Sequence, residues 1–291
     1  MKVALIQIDG KWNNLALMKL ANWHKKKGDE VVFIDISNYR FDRIYASKIF
    51  IGGSGYDIKS ELPKEIELET PDYELFKRSK GEKIGFTSRG CIRQCEFCLV
   101  KEKEGYIRDT PFEWEGAEKV LLLDNNFLAS PTWKEKLEYM IRHNIKVCFT
   151  QGLDIRLINE DNAKLLSKVK YYNYKFTVRR LYFAFDWIQL ENIIREKVAL
   201  LNKVGIPSSH LMFYVLCGFN TTIEEDLHRI NVLIELGCLP YVMLYNQLPY
   251  HRIGKLKELA RWVNRRYYKV VKWEEFDSKK RYNKRGEEYE E

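Results

Sequence analysis

Apolar and polar positions along the chain change rhythm near residue 56 and again near residue 81. Before the first change, Val3-Ala4-Leu5-Ile6-Gln7-Ile8 is an apolar run of strand length. Leu15, Leu17, Met18, Leu20, Ala21 and Trp23 then keep helical spacing as far as Gly28, and Val31 to Ile36 and Ala46 to Ile51 are two more buried-strand runs. Strand, helix, strand predicts a small Rossmann-like α/β domain over residues 1–56. Gly10 and the turn Gly52-Gly53-Ser54-Gly55 fall at strand C-termini, where such sheets bind ligands. The glycines serve equally well as positions of positive φ where the chain leaves the domain. Residues 57–80, with Leu62-Pro63 and Thr70-Pro71 among charges, support no long element and are expected to be a linker.

From Lys83 the pattern alternates. Strands are predicted at Ile84 to Thr87, Val120 to Leu123, Val147 to Thr150, Leu181 to Phe185, Met212 to Leu216 and Tyr241 to Tyr245. Helices are predicted at Thr132 to His143, Glu160 to Val169, Gln189 to Val204, Ile223 to Leu236 and Lys255 to Tyr268. Repeated βα units require a parallel sheet, and six of them make a partial (β/α)6 barrel over residues 81–270. Function in such barrels gathers at the strand C-termini. Polar residues stand at each of those ends: Asp124-Asn125-Asn126, Gln151 to Arg156, Asp186, Gly218 to Thr222, and Asn246-Gln247.

The first of these ends carries Gly90-Cys91-Ile92-Arg93-Gln94-Cys95-Glu96-Phe97-Cys98. Three thiolates in so short a loop suit one face of an iron–sulfur cubane and leave a fourth iron without a protein ligand. The competing reading, zinc, calls for a fourth Cys or His close by. The next cysteine is Cys148, and His143 lies in a helical pattern.

Cys91, Cys95, Phe97 and Cys98 match the Cys-x-x-x-Cys-x-aromatic-Cys signature, and here the chain resembles the radical S-adenosylmethionine (radical SAM) superfamily. The resemblance implies a [4Fe-4S] cluster on the three cysteines, with SAM on the open iron. It also implies reductive cleavage to a 5′-deoxyadenosyl radical and an external reductant of flavodoxin or ferredoxin type. Asp124-Asn125-Asn126-Phe127 and Gly218 to Asp226 resemble motifs of the subgroup that holds tRNA methylthiotransferases and cobalamin-linked enzymes. That likeness implies a SAM cradle of Phe97, Asp124, Asn125, Asn126, Arg156, Asp186, Gly218 and Thr222. Four of these have ordinary alternatives: a helix N-cap for Asp124, Asn125 and Asn126, and an ion pair with Asp154 for Arg156. The first domain resembles a shortened cobalamin-binding domain, but the subgroup's Asp-x-His-x-x-Gly ligand signature is missing: Asp9 is followed by Gly10 and Lys11, and His24 lies well down the helix. A bound cobalamin is therefore not expected.

Composition narrows this picture. No apolar run is long enough to cross a bilayer, and no cleavable signal pattern follows Met1, so a cytoplasmic chain with no membrane association is expected. Six cysteines, three clustered and Cys148, Cys217 and Cys238 scattered in apolar segments, fit a reducing compartment better than disulfides. Cys217 is read as a buried apolar residue or, alternatively, a substrate-facing one. Net charge is +8, and residues 251–270 carry seven Lys and Arg against Glu258, interleaved with Trp262, Tyr267 and Tyr268. That segment is either the solvated face of an amphipathic helix or a nucleic-acid contact. Residues 271–291 are charged and aperiodic, and a disordered tail is expected. Substrate class stays open between nucleic acid and a small molecule or peptide. A non-catalytic iron–sulfur sensor or electron carrier is the alternative function.

Overall fold

A computed structural model describes residues 1–8, 14–33, 40–47, 71, 80–245 and 250–283. The Asp9-Gly10 corner, the glycine turn at 52–55, nearly all of the expected linker and Asn246-Gln247 lie outside these residues. The chain is mixed α/β with parallel sheets. It divides into two compact units: residues 1–86 with 111–121, and residues 87–110 with 122–291. The first unit thus takes in two short strands that the sequence pattern assigns to the barrel.

In the first unit, β1 (Lys2–Gln7) lies between β2 (Glu30–Phe33) and β3 (Arg43–Ser47), parallel to both. The connecting helix α1 (Leu15–Lys26) starts at Asn14, whose side chain accepts from the amides of Ala16 and Leu17, and its last turn carries His24, Lys25 and Lys26. Leu17, Met18, Leu20 and Ala21 bury one stripe of it. His24 is fully buried; its ring meets Asp29 at 2.7 Å and the Tyr45 hydroxyl at 3.2 Å. This is the only histidine of the unit, and both ring nitrogens are committed. The unit also holds β4 (Glu82–Gly85).

The second unit begins with an excursion. β5 (Ser88–Arg89) and β6 (Arg108–Asp109) pair antiparallel and close residues 90–107, including the short helix α2 (Val100–Lys103), into a loop fixed at its base. Then β7 (Lys119–Leu122) spans the division between units. After it come α3 (Trp133–Arg142), β8 (Lys146–Phe149), α4 (Glu160–Lys168), β9 (Lys170–Tyr171), β10 (Leu181–Ala184) and α5 (Glu191–Lys203). The series ends with β11 (Leu211–Cys217), α6 (Ile223–Glu235), β12 (Leu239–Leu244) and α7 (Tyr250–Asn264). Thr150, past β8, donates its amide (3.0 Å) and hydroxyl (2.6 Å) to the carbonyl of Leu122, the last residue of β7. Leu153 bridges to Phe183 of β10, and β10, β11 and β12 run parallel side by side. β7, β8, β10, β11 and β12 therefore follow one another in chain order.

One face of β10 to β12 is a dry core. Leu211, Phe213, Val215 and Cys217 alternate inward along β11, and Phe213 stacks on Phe183 at 5.3 Å. Burying each such ring contributes roughly 2–3 kcal/mol. Cys217 is on this covered face, as an apolar residue. The other face carries Tyr182, Tyr214 and Tyr241, the first two parallel at 5.6 Å, and remains part-open at Tyr241 and Met243. A parallel sheet usually buries both faces; here Tyr241 and Met243 of β12 stay exposed on the second. Helix starts follow local chemistry: Asn159 with Asn162 and Thr222 with Glu225 form capping boxes at α4 and α6.

Residues 271–283, expected to be part of a disordered tail, are folded. Trp262 of α7 donates its indole N–H to the Val271 carbonyl at 2.9 Å, and Trp273 packs on Trp262 at 5.7 Å. Tyr267, Phe276 and Tyr282 close on one another at 5.4–5.8 Å. Aromatics spaced irregularly along a charged segment give no periodic signal, which is why pattern reading missed them. Residues 284–291 lie outside the described part.

Candidate cofactor site

The three clustered cysteines sit on the excursion between β5 and β6. Gly90 opens it at φ +81°, and a Cβ there would run into the Tyr106 and Gly105 carbonyls, so only glycine lets the chain turn so close to its own return. The loop is pinned from below by Asp124. Its buried carboxylate accepts the Thr87 amide (2.7 Å), the Thr87 hydroxyl (2.6 Å) and the Ser88 hydroxyl (2.7 Å). Burial raises the Asp124 pKa despite those donors. Lys136 adds a second pin, donating to the Thr87 carbonyl (2.8 Å) and pairing with Asp109 (2.6 Å).

Within the loop, Cys91, Cys95 and Cys98 are free and partly exposed. The Arg93 amide points at Cys91 Sγ (3.3 Å), and Asn126 Nδ2 reaches the same sulfur at 3.4 Å. Burial raises the Cys95 thiol, with the Arg156 charge opposing. Among the described residues no group of three or more His, Cys, Asp or Glu is gathered as a single metal ion would require. One zinc would draw its thiolates to within about 4 Å of each other through ~2.3 Å bonds. Thiolates that serve separate irons of a cluster need not converge on one point.

Asp154 is the hub that sequence reading passed over, naming it only as a partner for Arg156. It accepts from Arg93 Nε (2.9 Å), from Arg156 Nε (2.6 Å) and Nη2 (3.1 Å), and from Asn126 Nδ2 (3.4 Å). Burial works against its charge, but the two guanidiniums prevail and hold its carboxyl below the ordinary value. The Arg156 ion pair with Asp154 is thus formed, and Arg156 stays close enough for its charge to reach Cys95 and Cys91. The signal available in the sequence was the pair Asp154 and Arg156 at a strand end.

Aromatic rings wall the other side. Phe97 meets Phe219 at 5.4 Å and Trp187 at 5.9 Å, and Phe219 meets Tyr245 at 4.9 Å. These rings come from the thiol loop and the ends of β10, β11 and β12. Beside them Asp186 accepts the Leu216 amide at 3.2 Å, and burial raises its pKa. Beneath lies a fully buried ion pair, Asp226 with Arg229, which organises the strand ends. Arg229 donates to the Phe185 and Leu216 carbonyls, and Asp226 accepts the Gly218 amide at 3.1 Å.

The expected SAM cradle therefore separates into two groups. Phe97, Asn126, Arg156 and Asp186 surround the loop, and Asn125 stands beside Asn126. Asn125 Nδ2 and Asn126 Oδ1 are buried without a hydrogen-bond partner, as unfilled polar positions in a cofactor cradle would be. Asp124, Gly218 and Thr222 are engaged elsewhere: Asp124 by Thr87 and Ser88, the Gly218 amide by Asp226 and Thr221, and Thr222 as the cap of α6. In these contacts the three residues position the loop and the strand ends. Three accessible thiols beside orphaned amide groups fit a three-thiolate cluster and a polar ligand. No protein-family model matches this chain, and no curated protein matches its sequence. Among the described residues no helix is long and apolar enough to cross a membrane.

Proposed function

We propose that this chain is a radical SAM enzyme built on a partial (β/α)6 barrel, acting on a substrate not yet identified. The observation that carries the reading is the convergence of successive strand ends on one three-thiol loop. Asn126 follows β7, Asp154 follows β8, Trp187 follows β10, Phe219 follows β11 and Tyr245 ends the run after β12, and each touches the loop or a residue that does. Such convergence at one end is what a βα barrel uses to build a site, and an electron carrier needs no such cradle.

Cys91, Cys95 and Cys98 would hold a [4Fe-4S] cluster; when bound with SAM it supplies the electron for reductive cleavage to a 5′-deoxyadenosyl radical. The chain's own residues prepare the place. Asp154 fixes Arg93 and so the middle of the loop, Asn126 orients Cys91, and Asn125 offers an unused donor to a polar ligand. Phe97, Trp187 and Phe219 exclude water from the side where a reactive species must be protected. The part-open tyrosine face of β10 to β12 leaves space for a substrate, and an external reductant of flavodoxin or ferredoxin type would supply the electron.

The test is anaerobic reconstitution with iron and sulfide, reduction with dithionite, and chromatography for 5′-deoxyadenosine after SAM is added, with Cys95→Ala alongside. The product is expected in the wild type and not in the variant. A cluster indifferent to SAM would move the protein to the sensor class, and bound zinc would end the cluster reading.

A further inference from the structure

We infer that α7 and the folded segment behind it form a nucleic-acid-binding surface. Residues 255–283 carry ten Lys and Arg against four acids, a net +6 in a chain whose total is +8. The remaining sequence is nearly balanced, so the basicity of this protein is local. Lys257 and Arg261 on α7 and Arg265, one residue past its end, follow one another at i,i+4 spacing, all exposed. Like charges at that spacing destabilise a helix by a few tenths of a kcal/mol per pair. Among the described residues none of Lys255, Lys257, Arg261, Arg265, Arg266, Lys269 or Lys272 makes an ion pair to relieve this. The row is complementary to an evenly spaced line of negative charge, which is what a phosphodiester backbone presents.

Rigidity supports the same partner. Arg266 and Lys269 flank Tyr267, which is locked against Phe276 and Tyr282, so the cations project from a packed aromatic base rather than a loose tail. Arg180 lies close enough for the Arg266 charge to act on it. A bilayer fits less well. An interfacial helix needs an apolar face to insert, but Leu256, Leu259, Trp262, Val263 and Val271 are buried, and residues 254–283 expose no large hydrophobic side chain. The surface does not depend on the cluster reading and is measurable without iron.

The experiment is fluorescence anisotropy with the full chain and three probes: a labelled single-stranded RNA, a labelled DNA duplex, and vesicles containing phosphatidylserine. Each is titrated between 50 and 200 mM salt at several steps, about the range over which phosphate contacts lose most of their affinity. Wild type is compared with Lys257→Gln/Arg261→Gln/Arg265→Gln and with the equal charge change Lys134→Gln/Lys164→Gln/Lys203→Gln on α3, α4 and α5. The first triple is expected to weaken nucleic-acid binding at least tenfold and flatten the log–log salt slope by about 2. It should melt no earlier than wild type, because repulsion has been removed. The control triple should bind as wild type does. Equal weakening by both triples, displacement by polyglutamate as effective as by RNA, or binding confined to vesicles would each overturn the assignment.

Discussion

Arg93, in the middle of the thiol loop, and Asp154, 61 residues later, form an ion pair at 2.9 Å. Arg156 holds the same carboxylate from the other side. Replacing Asp154 with Ala leaves two guanidiniums facing each other across an empty position. Breaking a fully buried pair costs about 3–5 kcal/mol, but Arg93 and Arg156 are 34% and 28% exposed, so solvent takes up part of that. The expected loss is about 1–3 kcal/mol by urea titration, with less iron retained per chain after anaerobic reconstitution. Arg156→Ala, which keeps the Arg93 tie, should retain more iron than Asp154→Ala. Equal iron in both would remove Asp154 as the organiser of the loop.

Gly90 and Gly105 stand at the two ends of the same loop, at φ +81° and +75°. Only Gly90 is crowded; a Cβ on Gly105 meets nothing within 4 Å. Gly105→Ala should therefore cost about 1 kcal/mol, the left-handed penalty alone. Gly90→Ala adds a backbone clash and should cost at least about 2 kcal/mol, with loss of cluster loading. Equal melting temperatures for the two variants would mean that the loop base is not closed as described.

The βα rhythm was legible because β8, β10 and β11 are short apolar runs between amphipathic helices, and a parallel sheet leaves that signature. The thiol loop was legible because its spacing is compact. What stayed hidden depends on contacts between distant residues. Asp154 looks like any polar strand end until Arg93 arrives from another part of the chain. Asp124 and Thr222 have the right residue types for a ligand cradle and are engaged instead by Thr87, Ser88 and a helix start. The fold of residues 271–283 rests on Trp262, Trp273 and Phe276, whose spacing matches neither a helix nor a strand.

Asp109 gives a pH dependence with a definite sign. Burial works against its charge, but hydrogen bonds from Lys136, Ser130 and Thr132 prevail and hold its pKa below the ordinary carboxylate value. A depressed folded pKa means the stabilisation is complete above the unfolded value, near 3.9, and fades as pH falls through the folded one. The stability gap between wild type and Asp109→Asn should be full at pH 6 and should narrow as pH drops from about 4 toward 2. Urea midpoints at half-unit intervals would read it. A gap that stays constant over that range would assign the effect to packing and not to charge.

The six thiols should divide into two classes of three. Cys148, Cys217 and Cys238 are 1%, 0% and 3% exposed. Burial pushes Cys148 and Cys238 up to about 12 and Cys217 higher still. The thiolate is the reactive form, so at pH 7.5 these three should take up maleimide only after denaturation. Cys91, Cys95 and Cys98 are partly exposed, and in the iron-free protein they should label first, Cys95 slowest because burial raises its thiol. Mass spectrometry of the folded chain should count three adducts, falling to none after reconstitution with iron and sulfide. Zinc in place of iron should protect the loop less completely, since three thiols with no nearby fourth ligand leave its tetrahedral shell unfilled. Three adducts that persist after iron and sulfide would show that the loop does not take up a cluster, however well its spacing fits one.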